Sequence, residues 1–177
     1  MDHAIGNLEP SSFNSAAAPA NAGGRFIKNA WYVGLWSSEL PAGTLVPQTI
    51  LNEPVVFFRK EDGTPAALLD RCAHRFVPLS MGAIVPGDRV QCPYHGLEFG
   101  ADGHCMNNPH PPCSIPAAAH LPSFPTVEKH SMIWIWMGDK PADPSLIPDY
   151  GCLDTSPSLH ITDPGYLCIK ASYDLIA

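Results

Sequence analysis

Two short stretches in the chain carry residue types that can hold metal: Cys72-Ala73-His74 and Cys92-Pro93-Tyr94-His95, with the seventeen residues 75–91 between them. Each supplies one thiolate and one imidazole. Each also lies just after or beside a short predicted strand, Leu68-Leu69-Asp70-Arg71 and Arg89-Val90-Gln91, so both can project from adjacent hairpin tips and converge. Two centres suit two Cys and two His: a tetrahedral zinc ion, or a [2Fe-2S] cluster with both cysteines on one iron and both histidines on the other. Zinc fingers commonly pair Cys with Cys and His with His around one ion. Here each loop offers one of each, which lets each loop touch both irons and favours iron. The bland alternative is a zinc knuckle, or two unrelated Cys and His pairs.

The elements that must position these loops follow from composition. Twenty prolines and fourteen glycines in 177 residues favour short strands and many turns over long helices, so an all-β fold is expected. Segments 31–35, 44–48, 55–59, 66–69, 89–91, 97–99 and 133–137 read as strands. Lys60-Glu61-Asp62-Gly63 and Gly100-Ala101-Asp102-Gly103 read as hairpin turns, each ending on a glycine free to take positive φ. Ile133-Trp134-Ile135-Trp136 reads as a core strand. Residues 1–24, rich in Ala, Ser, Asn, Pro and Gly, read as a flexible arm, and 25–139 as one domain. Residues 140–177 read as a proline-rich linker with few apolar contacts, followed by the truncated start of a second domain. Because Leu175-Ile176-Ala177 carries no stop signal, the chain is expected to be a fragment.

Ten basic against seventeen acidic residues give a formal charge of −7, which offers no field for a phosphate backbone, so nucleic acid is not an expected partner. The first residues have no basic region followed by an apolar core, and the longest later apolar run is the six residues 132–137. A soluble cytoplasmic chain without a membrane anchor is therefore expected. In that setting six cysteines are more readily thiols or metal ligands than disulfides.

The pattern Cys-x-His, an interval in the high teens, then Cys-x-x-His resembles the Rieske iron–sulfur family, from about Trp31 through Gly138. Respiratory Rieske proteins carry an additional cysteine in each loop; Val77 and Tyr94 stand at those places here. Arg75 and Pro93-Tyr94-His95-Gly96 are similar instead to the Rieske non-haem iron oxygenases. Pro78-Leu79-Ser80-Met81-Gly82, Asn108-Pro109-His110, Ile115-Pro116-Ala117-Ala118-Ala119 and Trp134-Ile135-Trp136-Met137-Gly138 are most similar to the vanillate O-demethylase branch. Leu97, where ring-hydroxylating dioxygenases commonly have Trp, points the same way.

This resemblance implies a Rieske domain of short antiparallel strands, with the cluster held by two hairpin loops at one tip. Cys72 and Cys92 would hold the inner iron, and His74 and His95 the outer one. Two thiolates leave the oxidised centre at a formal charge of about 0, against about −2 with four, so an electron is added more easily, at potentials on the order of −150 to +300 mV. The resemblance further implies an NADH-dependent ferredoxin or flavin reductase as donor and a homo-oligomer, a trimer in the full-length form. A mononuclear Fe(II) and a small aromatic substrate would belong to a following domain, which oxidises an aryl methyl ether or hydroxylates its substrate. A stand-alone Rieske ferredoxin is the rival reading, and a structural zinc module the weaker one.

Around the centre, Arg75 could stabilise the reduced cluster, bind a carboxylate, or be a plain surface residue. Tyr94 could donate to a cysteine sulfur or pack in the core. Pro109, Pro111, Pro112 and Pro116 suggest a rigid loop over the cluster. His104, His110, His120 and His130 read as surface histidines, and Cys105, Cys113, Cys152 and Cys168 as free thiols. His160 and Asp163 suggest part of a two-histidine, one-carboxylate site, but a second nearby histidine is missing.

Overall fold

The computed structural model describes residues 26–116, 118–154 and 169. The expected arm, most of the segment after Asp154, and His160, Asp163 and Cys168 lie outside the described residues. The fold is all-β, as the composition implied. Among the described residues eleven strands form three antiparallel sheets, and the helical turns are short 3-10 turns. None of them is long and apolar enough to cross a membrane.

The middle layer explains the rest. Its order is β2 (Val46–Ile50), β3 (Glu53–Arg59), β4 (Pro65–Leu69), β9 (Ser123–Phe124). Val55, Val56, Phe57 and Phe58 of β3 are consecutive and fully buried, which demands cover on both faces. Strand alternation then splits them. Val55 and Phe57 join the core shared with β1 (Ala30–Trp36) and β11 (Met132–Met137), together with Leu35, Ile133 and Ile135. Val56 and Phe58 face the opposite core, with Cys72, Val90, Cys92 and Phe99. That second core supports the sheet β5 (Ala83–Val85), β6 (Arg89–Gln91), β7 (Glu98–Gly100), β8 (Cys105–Asn107). The first core is roofed by the sheet β1, β11, β10 (Thr126–Lys129).

Both expected turns form. Lys60 N–H donates to Thr64 O and Gly63 N–H to Lys60 O, and Gly100 N–H to His104 O and Gly103 N–H to Gly100 O; the closing glycines have φ of +84° and +86°. All seven expected strands are present with ends shifted by up to two residues. Strands β5, β8, β9 and β10, two to four residues long, were not anticipated; each pairs with a strand that was, β6, β7, β4 and β11 respectively.

The segment after Gly138 departs from the expected linker. Asp143 accepts from Ser145 N–H at 2.9 Å and Pro144 opens the following turn, a standard pairing of acidic cap and proline start. Ile147, 3% exposed, then packs with Met132 and Trp134, and Tyr150 stacks on Trp134 with ring centroids 6.0 Å apart. The outward face of β11 is thus covered. His130, expected on the surface, has a side chain only 8% exposed, held between Asp154 (Nδ1 to Oδ2, 2.9 Å) and Asp149 (Nε2 to Oδ1, 3.5 Å). Sequence gave no sign of this, since the partners come from a turn about twenty residues further on.

Ile147→Ala should therefore cost about 2–4 kcal/mol of stability and speed amide exchange across 144–153. Unchanged exchange and an unchanged denaturation midpoint would show that the segment is not docked.

Candidate metal centre

The two Cys/His stretches fold into the same backbone shape. In the first loop Cys72 N–H donates to Val77 O (2.9 Å) and Phe76 N–H to Cys72 O (2.9 Å). In the second, Cys92 N–H donates to Leu97 O (2.8 Å) and Gly96 N–H to Cys92 O (3.0 Å). Each pattern requires a left-handed residue at the fifth position. Gly96 meets it at φ +71°, whereas the first loop places Phe76 there at φ +58°, a conformation costing about 1–2 kcal/mol, with its ring 72% exposed. The second loop is a hairpin tip between β6 and β7. The first closes no hairpin, because its flanking strands β4 and β5 belong to different sheets; the turn at Leu79–Met81, with Leu79 buried, redirects the chain between them.

The shared shape sorts the donors by depth. Cys72 and Cys92 are each 2% exposed, and their side chains contact each other. His74 and His95 lie outside them, with Nδ1 atoms 3.2 Å apart and ring centroids 4.6 Å apart. Two nitrogens sharing a metal at about 2.0–2.1 Å with tetrahedral angles stand roughly 3.3–3.4 Å apart, so this spacing suits a common ion. Among the described residues no three His, Cys, Asp or Glu side chains surround one point as ligands of a single ion. The residues present fit a centre with sulfur donors on its buried side and imidazole donors on its outer side.

Residues that sequence reasoning passed over brace the loops. Asp70, buried two residues before Cys72, accepts from Ser80 N–H (2.7 Å) and Ser80 Oγ (2.6 Å), tying the start of the first loop to its exit. Buried Glu98, just beyond the second loop, pairs with Arg89 Nη1 at 2.6 Å and accepts from Asn107 Nδ2 at 3.1 Å, fastening β6, β7 and β8 together. Glu98, between Leu97 and Phe99, carried a sequence hint of burial; Asp70, followed by Arg71, carried none. A cavity of about 490 Å³ adjoins the histidines, lined by Ala73, His74, His95, Leu97, His110 and Pro116 among others.

Several expectations need adjusting. Tyr94 is neither buried nor, among the described residues, bonded to sulfur: it is 56% exposed and its ring centroid lies 3.9 Å from that of His95. All four prolines are exposed; Pro109 lies close to Gly96 and Pro116 lines the cavity beside the histidines. His110 is exposed but its Nε2 reaches His95 O at 2.9 Å. His104 and His120 are exposed, as expected, and face each other across an isolated bridge. Cys105, Cys113 and Cys152 are free thiols, Cys105 being buried.

Residues 30–125 match the family described as the Rieske [2Fe-2S] domain. The chain belongs to that family. It is 47% identical over 152 residues to the oxygenase component of dicamba O-demethylase from Stenotrophomonas maltophilia, covering 85% of this chain and 44% of that protein. The vanillate O-demethylase oxygenase subunit of Pseudomonas sp. is 40% identical over 123 residues, covering 69% and 34%. The crystal structure of dicamba monooxygenase bound to dicamba superposes with TM-score 0.68 and 51% identity over 72% of this chain and 38% of that one. An oxygenase and ferredoxin complex of carbazole 1,9a-dioxygenase gives TM-score 0.61 at 27% identity, covering 66% and 30%. This Rieske chain thus spans less than half the length of these relatives, all of them oxygenase components.

Two shifts predict how the metal-free chain responds to pH. Desolvation, then repulsion from His74, His110 and Arg75, holds His95 below the ordinary imidazole value. The folded chain therefore binds fewer protons than the unfolded one as pH falls through about 6.5, and His95 lowers stability toward acid. Burial pushes the Cys72 thiol up, so the folded chain keeps a proton that the unfolded chain loses above the ordinary value of 9.0, and Cys72 lowers stability toward alkali. Urea midpoints from about pH 5 to about pH 10 should peak between those limits, and His95→Gln should flatten the acid limb. An unchanged acid limb in that variant would contradict the His95 assignment.

Proposed function

We propose that Cys72 and Cys92 ligate the inner iron of a [2Fe-2S] cluster and His74 and His95 the outer iron, and that the chain serves as the electron-delivering part of an oxygenase. The observation that carries this is the separation of donors by type and depth: sulfurs buried together, imidazole nitrogens paired outside them at 3.2 Å. Bound there, the cluster supplies one-electron transfer.

The chain's own residues do the remainder. Burial of both sulfurs among Val90, Phe99, Leu79 and Leu121 keeps water from the thiolate side. The loop N–H groups that close each turn orient the cysteines without using their sulfurs. His74 and His95 must present Nδ1 inward, which leaves each Nε2 edge as the route by which an electron leaves, with a proton where one is exchanged. Arg75, exposed beside them, places positive charge where negative charge arrives on reduction.

The donor in this reading is an NADH-dependent ferredoxin or flavin reductase, consistent with the ferredoxin bound to the carbazole oxygenase. The acceptor is a mononuclear Fe(II) in the part of a full-length oxygenase that this chain does not span, reached within a trimer. The dicamba and vanillate relatives favour oxidative demethylation of a small aryl methyl ether, giving a phenol and formaldehyde.

The purified chain should contain two irons and two acid-labile sulfides and show visible iron–sulfur absorption. One zinc per chain, without colour, would sink the proposal. Cys72→Ser and Cys92→Ser should each abolish the cluster. His95→Cys should retain one whose potential, read by protein-film voltammetry, falls by on the order of 100 mV or more through the added negative charge. An unchanged potential in that variant would exclude His95 from the ligand set.

A further inference from the structure

We propose that His110 is a positioning residue for the centre: its Nε2–H holds the carbonyl of His95 and thereby fixes the second loop and the direction of the His95 ring. The proposal rests on the reading of His95 as an iron ligand and adds a residue outside both motifs.

The second loop's internal bonds use the N–H of Cys92 and Gly96 and the carbonyls of Cys92 and Leu97, leaving the His95 carbonyl for an outside donor. His110 Nε2 stands 2.9 Å from it. A carbonyl oxygen can only accept, so Nε2 carries the proton and the ring's tautomer is set when neutral. The next residue, Gly96, is approached by the residue before His110: Pro109 Cγ lies 3.1 Å from where a Cβ on Gly96 would sit, so the dipeptide lies against two consecutive residues of the loop.

His110 is itself anchored. Its N–H donates to Asn108 Oδ1 at 3.2 Å, its carbonyl accepts from Cys113 N–H at 2.6 Å, and Asn108 Nδ2 donates to Ser114 O at 2.8 Å. The first loop has a different external brace, Asp70 with Ser80. The two loops share an internal shape but not a support, and the support of the second reaches the ligand's own peptide group. Ligand positions must hold to within about 0.5 Å for a defined centre, and rocking of one peptide plane moves an imidazole by more than that.

The test uses the full chain carrying its cluster, with His110→Ala and His110→Gln. Glutamine retains an N–H able to reach the same carbonyl. Three readouts are taken: the rate of cluster bleaching under a chelator, the g-values and widths of the reduced cluster by electron paramagnetic resonance, and amide exchange at Gly96 and Leu97. The alanine variant should bleach about tenfold faster, show broadened g-values and exchange Gly96 and Leu97 about tenfold faster, while glutamine restores all three to within about twofold. Wild-type behaviour of the alanine variant in all three overturns the proposal, as does equal damage in both variants, which would assign the effect to ring packing. Should the wild-type chain hold no iron–sulfur centre, the reading of His95 fails, and exchange at Gly96 and Leu97 still decides whether His110 clamps the loop.

Discussion

Two thiolates and two imidazoles cannot be gathered around one small centre unless two separate stretches of chain are bent alike and brought face to face. Here the bend is a backbone matter: in each loop the cysteine N–H reaches five residues ahead and the cysteine carbonyl receives the N–H of the residue four ahead. The side chains are thereby spared for metal. The cysteine falls on the core side and the histidine on the solvent side in both loops, so sulfur and nitrogen are sorted without any residue having to choose. In the proposed ligation that sorting would give the two irons unlike donors, sulfur on one and nitrogen on the other.

The rest of the molecule serves to hold those bends. A strand with four consecutive buried apolar residues forces a middle layer, one side of which becomes the floor under Cys72 and Cys92. The other side is closed by the tryptophan-bearing strand, itself closed by Ile147 and Tyr150. Buried carboxylates appear just where the loops meet this scaffold: Asp70 ahead of the first and Glu98 behind the second. A buried carboxylate without partners would be costly; Asp70 accepts twice from Ser80, while Glu98 accepts from Gln91 and Asn107 at Oε1 and meets Arg89 at Oε2 as an ion pair only. Polar bracing of this kind fixes geometry in a way that apolar packing alone does not.

Strain marks the same place. Phe76 occupies a conformation that its counterpart in the second loop assigns to glycine, and its ring stands in solvent beside His74 and Arg75. Tyr94 is exposed as well, against the ring of His95, and Arg75 is exposed between His74 and Phe76 in the chain.

The all-β class, seven of the eleven described strands and the two glycine-closed turns were legible from residue type and near-neighbour spacing, and so were the four Cys and His side chains proposed as donors. Ligand chemistry is local, and so is the freedom of Gly63 or Gly103 to take positive φ. Tertiary structure alone decided that the first ligand loop spans two sheets, that residues 140–154 pack rather than link, that His130 is buried between two aspartates, and that His110 reaches His95. Each of those depends on partners brought together by folding, ten to more than twenty residues apart in the chain. No periodicity or motif records such a pairing, since it is set by how layers stack and not by what any single segment prefers.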